Sequence, residues 1–146
     1  MAKKARKPGV AEFVLDRSLA LAWYFKGETD PYADAVAARF PAARAAVPAI
    51  WPLEIANAML MGERRQRSTE AQAAKWLGYL ARLPIFVDDL TSERAWGAAL
   101  GLARAHRLPA YDGAYLELAL RRGLPLATLD KKLKAALAAG VPAFAP

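Results

Sequence analysis

Short apolar runs that end in a carboxylate and pass directly into a helix-forming segment recur along this chain. The clearest is Pro125-Leu126-Ala127-Thr128-Leu129, which ends at Asp130 and opens the polar segment Lys131 to Ala139. A brief apolar run without polar alternation predicts a strand buried on both faces of a parallel sheet. The first strand, expected over Ala11 to Leu15, behaves alike: Phe13-Val14-Leu15 runs into Asp16, and the helix-prone Ser18 to Phe25 follows. Thr29-Asp30-Pro31 restarts a helix, with a cap residue followed by Pro at the first helical position. Ala46 to Ile50 is a short strand at most, because Pro48 confines it to an edge or a loop.

Further on, Pro52 starts a helix carrying Glu54 and Asn57 that stops near Gly62 to Arg67. Thr69 with Gln72 three residues later predicts a capping box, and a helix through about Leu83. Pro84 to Val87 reads as another buried strand, Ser92 to His106 as a helix, and Tyr111 to Arg122 as a helix terminated by Gly123. Strands alternating with helices predict an α/β sandwich with a mostly parallel sheet.

Composition adds bounds. At 146 residues and 55% hydrophobic content the chain fits one domain over residues 10–146, preceded by a disordered basic tail over residues 1–9 carrying Lys3, Lys4, Arg6 and Lys7. The longest apolar stretches fall short of the ~20 residues a membrane helix needs, so a cytoplasmic protein without a membrane anchor is expected. Cysteine is absent and His106 is the single histidine, which excludes disulfides, thiolate catalysis and zinc-thiolate or His-rich metal sites. Lys plus Arg is 21 against 14 acids, a formal charge of +7. That excess favours a polyanionic partner.

Taken singly, the acids have plain structural explanations. Asp16 and Asp130 each read as an N-cap, and Asp112 as a first-turn acid favoured by the helix dipole. Glu54, however, has Ile50, Trp51, Asn57 and Ala58 at helical offsets, and Asp112 has Leu108, Pro109, Tyr115 and Leu116. Both acids therefore lie on apolar stripes, where an ionised carboxylate needs a partner. Four acids at strand ends and on apolar stripes repel one another unless a cation sits among them. Oxygen-only ligation selects a hard ion, Mg²⁺ or Mn²⁺, and such ions hold phosphates and activate water for attack on phosphorus.

Four fragments carry a family resemblance. They are Phe13 to Trp23, Trp51 to Ala58, Tyr111 to Ala119 and Leu126 to Asp130. In this order and spacing the chain resembles the PIN-domain ribonucleases, specifically the VapC-type toxins of bacterial toxin–antitoxin pairs, from Glu12 to Phe144. The resemblance implies a PIN-like three-layer sandwich with a mostly parallel central sheet flanked by helices. It implies a metal-dependent endoribonuclease whose catalytic acids are Asp16, Glu54, Asp112 and Asp130, all serving one or two Mg²⁺ or Mn²⁺ ions. Ser18 and Thr128 match the family's hydroxyl positions and are assigned to fixing Asp16 and Asp130; Asn57 is assigned to orienting Glu54 or touching RNA. A homodimer and a cognate antitoxin partner are implied as well.

Arg17 departs from the small residue usual between the family's first Asp and its Ser. It is expected either to pair with Asp16 or contact the RNA backbone, or to project away by strand alternation. Arg64, Arg65 and Arg67 form a basic loop suited to RNA or an acidic partner segment. Trp23, Trp51, Trp76 and Trp96 are expected in core or interface packing. Two alternatives remain at this level: a noncatalytic PIN-like RNA-binding domain, and a Mg-dependent phosphatase. The phosphatase fits less well, since Ser18 stands where a haloacid-dehalogenase-like enzyme needs a second Asp.

Overall fold

The computed structural model describes residues 11–137 and 140–146; the basic tail expected over residues 1–9, and the last residues expected in the Lys131 helix, lie outside them. Four strands, β1 (Phe13–Leu15), β2 (Ala45–Val47), β3 (Ile85–Val87) and β4 (Leu126–Ala127), form one all-parallel sheet in the order β3-β2-β1-β4. The connections are helical, as parallel pairing demands. The first is made by α1 (Arg17–Tyr24) and α2 (Pro31–Ala37), the second by α3 (Trp51–Arg64) and α4 (Glu70–Leu80). The third contains α5 (Thr91–Arg94), a π-helical segment (Ala95–Ala99), α6 (Leu100–His106) and α7 (Ala110–Arg122). A last helix, α8 (Lys131–Ala136), follows β4.

Every residue of β1, β2 and β4 is fully buried, which accounts for their unbroken apolar character. Two expectations are corrected. The Pro48 strand is neither edge nor loop: it lies between β1 and β3, and it can do so because it ends at Val47, one residue before the proline that lacks a donor. Conversely, β3 is an edge strand, and Phe86 and Val87 are exposed rather than buried.

Local signals explain the helix ends. Asp30 accepts from the backbone N–H groups of Tyr32 and Ala33 ahead of Pro31. Thr69 and Gln72 form the reciprocal capping box. Gly123 closes α7 in the left-handed conformation at φ 63°. The single helix expected over Ser92 to His106 is broken in character by the π-helical segment, from which Trp96 projects at 93% exposure. Trp51 is buried, and Trp23 and Trp76 pack against the core, whereas Trp96 has no core packing.

Helix α7 fits closely against the preceding helical connection. A Cβ on Gly113 would lie 2.6 Å from the Ala99 carbonyl oxygen and 3.1 Å from the Ala103 Cβ. Alanine ordinarily favours a helix over glycine by about 1 kcal/mol, but here backbone must move. Gly113→Ala is therefore expected to destabilise, by about 1–3 kcal/mol as overpacking does. A urea midpoint below that of the parent protein checks this.

Candidate active site at the switch point of the sheet

In the strand order β3-β2-β1-β4, chain direction across the sheet reverses at β1, and the crevice beyond the C-terminal ends of β1 and β4 is the switch point where open α/β sheets bind ligands. Asp16 follows β1 directly, and Thr128 follows β4. Register pairs Leu15 with Ala127, and the Asp16 N–H donates to the Ala127 carbonyl at 3.0 Å, so these two side chains meet. Helices α1 and α3 leave this rim, and α7, returning ahead of a parallel strand, begins there. Glu54 and Asp112 both lie in first turns, of α3 and α7 respectively. Three helix N-termini thus face one crevice, a setting that favours negative charge.

Asp16 is fully buried. Although it stands at the N-cap of α1, its side chain makes no capping bond. Its Oδ2 instead accepts from Ser18 Oγ at 2.5 Å and Thr128 Oγ1 at 2.7 Å. Both hydroxyls are themselves held: Ser18 Oγ accepts from the Leu129 N–H at 3.0 Å, and Thr128 Oγ1 from the Asp130 N–H at 2.9 Å. Thr128 therefore fixes the Asp16 carboxylate, while to Asp130 it bonds only through the backbone. Burial pushes the Asp16 carboxyl above the ordinary range, against the Ser18 bond and the neighbouring Arg17 charge.

Arg17 is the first residue of α1 rather than a strand residue, so strand alternation does not turn it away. Its Nε lies 2.9 Å from Glu54 Oε2, and one terminal nitrogen lies 3.2 Å from Asp16 Oδ1 and 3.3 Å from Asp112 Oδ1. Partial burial works against this charge, but Asp16 and Glu54 outweigh it and hold the guanidinium pKa above its already high value. Glu54 Oε1 accepts from Tyr115 Oη at 2.6 Å. Burial pushes the Glu54 carboxyl up, and burial with the Asp16 and Glu54 charges pushes the Tyr115 phenol up.

The structure thus brings Asp16, Glu54, Asp112, Arg17, Ser18 and Thr128 into one cluster. Of the other expected residues, none brings its side chain into that bond network, and Asp130 joins it only through its backbone N–H. Asp130 Oδ1 accepts from the Lys132 and Leu133 N–H groups and caps α8. Asn57 is exposed and makes no side-chain hydrogen bond among the described residues; the group that orients Glu54 is Tyr115. Tyr115 was not among the site residues expected from sequence, yet it stands three residues beyond Asp112 on α7, an offset that places both on one helix face. Arg64, Arg65 and Arg67 are exposed at and beyond the far end of α3, where ten residues of helix span ~15 Å from Glu54. Arg67 pairs with Glu28 at 3.2 Å and covers the Phe25 ring.

The donor chemistry fits a hard divalent ion. Three carboxylates from distant parts of the chain already converge on one cation, and the supporting groups are hydroxyls. That cation is a guanidinium, and among the described residues no three acids are spaced around a single point as ligands of one ion.

Fold and cluster together define an α/β protein with an acid-lined crevice at its topological switch point. The chain belongs to the PIN domain family, whose family model matches residues 13–137. PIN domains are generally nucleases and typically use divalent metal ions. Among solved structures, the crystal structure of PAE2754 from Pyrobaculum aerophilum is similar, with a TM-score of 0.65 and 24% identity over 89% of this chain and 87% of that one. Its likeness establishes the fold. No curated protein matches the chain significantly. Among the described residues no helix is long and apolar enough to cross a membrane.

Proposed function

We propose that this protein is an endoribonuclease that hydrolyses RNA phosphodiesters with Mg²⁺ or Mn²⁺. The observation that carries the reading is the convergence of Asp16, Glu54 and Asp112 on one cation at the switch point of a PIN-domain sheet. Asp16 and Asp112 are assigned as ligands, Glu54 as ligand or water-orienting base, and Asp130 as a second-metal or outer ligand through its remaining oxygen. Bound there, the ion would supply Lewis-acid activation of water and neutralise phosphate charge. The chain's own contribution is orientation. Ser18 and Thr128 lock one oxygen of Asp16, and Tyr115 locks one oxygen of Glu54, leaving the opposite oxygens to the cation at the centre of the cluster, which in this structure is Arg17. The excess of seven positive charges favours a phosphate polymer as substrate.

The finer part of the proposal is a cytoplasmic toxin acting as a homodimer and held in check by a cognate antitoxin; its support is the motif resemblance from Glu12 to Phe144. The second reading, a noncatalytic RNA-binding PIN-like domain, is favoured by one observation, that Arg17 fills the acid cluster. One experiment separates them. Purified protein free of copurifying antitoxin is incubated with a panel of structured RNAs in Mg²⁺, Mn²⁺ or EDTA. Cleavage in either metal and none in EDTA is expected. RNA binding without cleavage under any metal would establish the noncatalytic reading.

A further inference from the structure

Arg17 carries the only positive charge that touches Asp16, Glu54 or Asp112 among the described residues. It reaches one oxygen of each acid, and those are the oxygens that the hydroxyls of Ser18, Thr128 and Tyr115 leave unbonded on Asp16 and Glu54. A divalent ion would need the same oxygens. Two cations in one partly buried crevice would repel each other, so guanidinium and metal exclude one another. We propose that Arg17 is a built-in competitor for the metal, and that a divalent ion binds only by displacing its guanidinium from the three carboxylates.

This rests on the proposed metal-dependent reading of the same site. The displacement is local: Asp16 is held by hydroxyls as well as by Arg17, whereas the Arg17 side chain is 27% exposed and its flexible stem can swing outward without moving α1. A displaced guanidinium needs a new anion, and an RNA phosphate brings one with bidentate geometry. Metal and RNA therefore strengthen each other's binding, as two ligands of one two-state element must.

The test is Mn²⁺ binding by calorimetry to the full chain, comparing the parent protein with Arg17→Gln. The variant is expected to bind Mn²⁺ ~10-fold tighter or more, the scale on which groups around a metal site tune affinity. It should also melt lower than the parent in EDTA and recover when Mn²⁺ is added. In the parent protein, the Arg17 Nε–H resonance should move on Mg²⁺ addition, which decides the matter if Arg17→Gln does not fold. Equal or weaker Mn²⁺ binding by the variant, or an Arg17 resonance unchanged at metal saturation, overturns the competitor role while RNA cleavage by the parent leaves the nuclease reading standing. No metal binding by either protein, together with no cleavage, overturns both.

Discussion

Asp16→Asn is expected to reduce metal-dependent RNA cleavage more than ~100-fold, because even outer partners of a metal ligand cost roughly 10–100-fold when removed. The fold should survive the change. Asp16 is fully buried, and that burial raises its carboxyl pKa despite Ser18, Arg17 and Thr128. A carboxyl whose pKa rises on folding is worse off ionised in the native state than in the unfolded chain. Its charge therefore costs stability at neutral pH, and the cost vanishes below the unfolded value of ~3.9. Asparagine removes the charge and keeps an oxygen for the Ser18 and Thr128 hydroxyls. Thermal unfolding followed by circular dichroism should give a Tm equal to or above that of the parent, alongside the lost activity. Cleavage at the parent rate would remove Asp16 from the machinery.

What separates the legible from the illegible parts of this site is sequence distance. Asp16, Ser18 and Thr128 are readable because each lies within three residues of a strand that announces itself by an unbroken apolar run. Glu54 and Asp112 are readable as anomalies, carboxylates on apolar helical stripes. The Tyr115 bond to Glu54 spans 61 residues, and no local pattern encodes which helix face meets which. Arg17 illustrates a different failure. Its direction depends on whether it ends a strand or begins a helix, a shift of one residue that decides between pointing at the acids and pointing away. For Asp130 the capping interpretation and the ligand interpretation predict the same residue in the same place, and the observed Oδ1 bonds to two backbone N–H groups show that the cap at least is made.

The π-helical segment and the exposure of β3 likewise lie beyond local pattern. Ile85, Phe86 and Val87 have strand chemistry whether central or edge, and only the count of partners decides. Pro48 misleads for a related reason: a proline excludes itself from a ladder but not the residue before it. The strand simply ends at Val47, whose carbonyl still accepts from the Asp88 N–H at 2.8 Å.

The largest stability effect is expected at Arg121, far from the acid crevice in function and absent from any motif. Arg121 makes bidentate pairs with two buried acids at once. Its Nε and one terminal nitrogen reach Glu117 at 2.7 and 3.2 Å, and its terminal nitrogens reach Asp88 at 3.1 and 2.6 Å. Thr91 donates to Asp88 at 2.9 Å and accepts from the Ala49 N–H at 3.0 Å, so the knot joins the ends of β2 and β3 to α5 and α7. Removing one partner of a buried ion pair leaves uncompensated charge and costs about 3–5 kcal/mol. Arg121→Ala should lower the urea-derived stability by that amount at neutral pH. Burial opposes ionisation of Asp88, but the bonds from Arg121 and Thr91 outweigh it and hold its pKa below the ordinary range. Stability from a depressed carboxyl is complete above the unfolded value near ~3.9 and is lost as pH falls through the lower native value. The gap between parent and variant should therefore be widest above about pH 5 and narrow in acid below about pH 4. A gap that stayed constant through that range would mean that Arg121 stabilises by packing its stem rather than by holding Asp88.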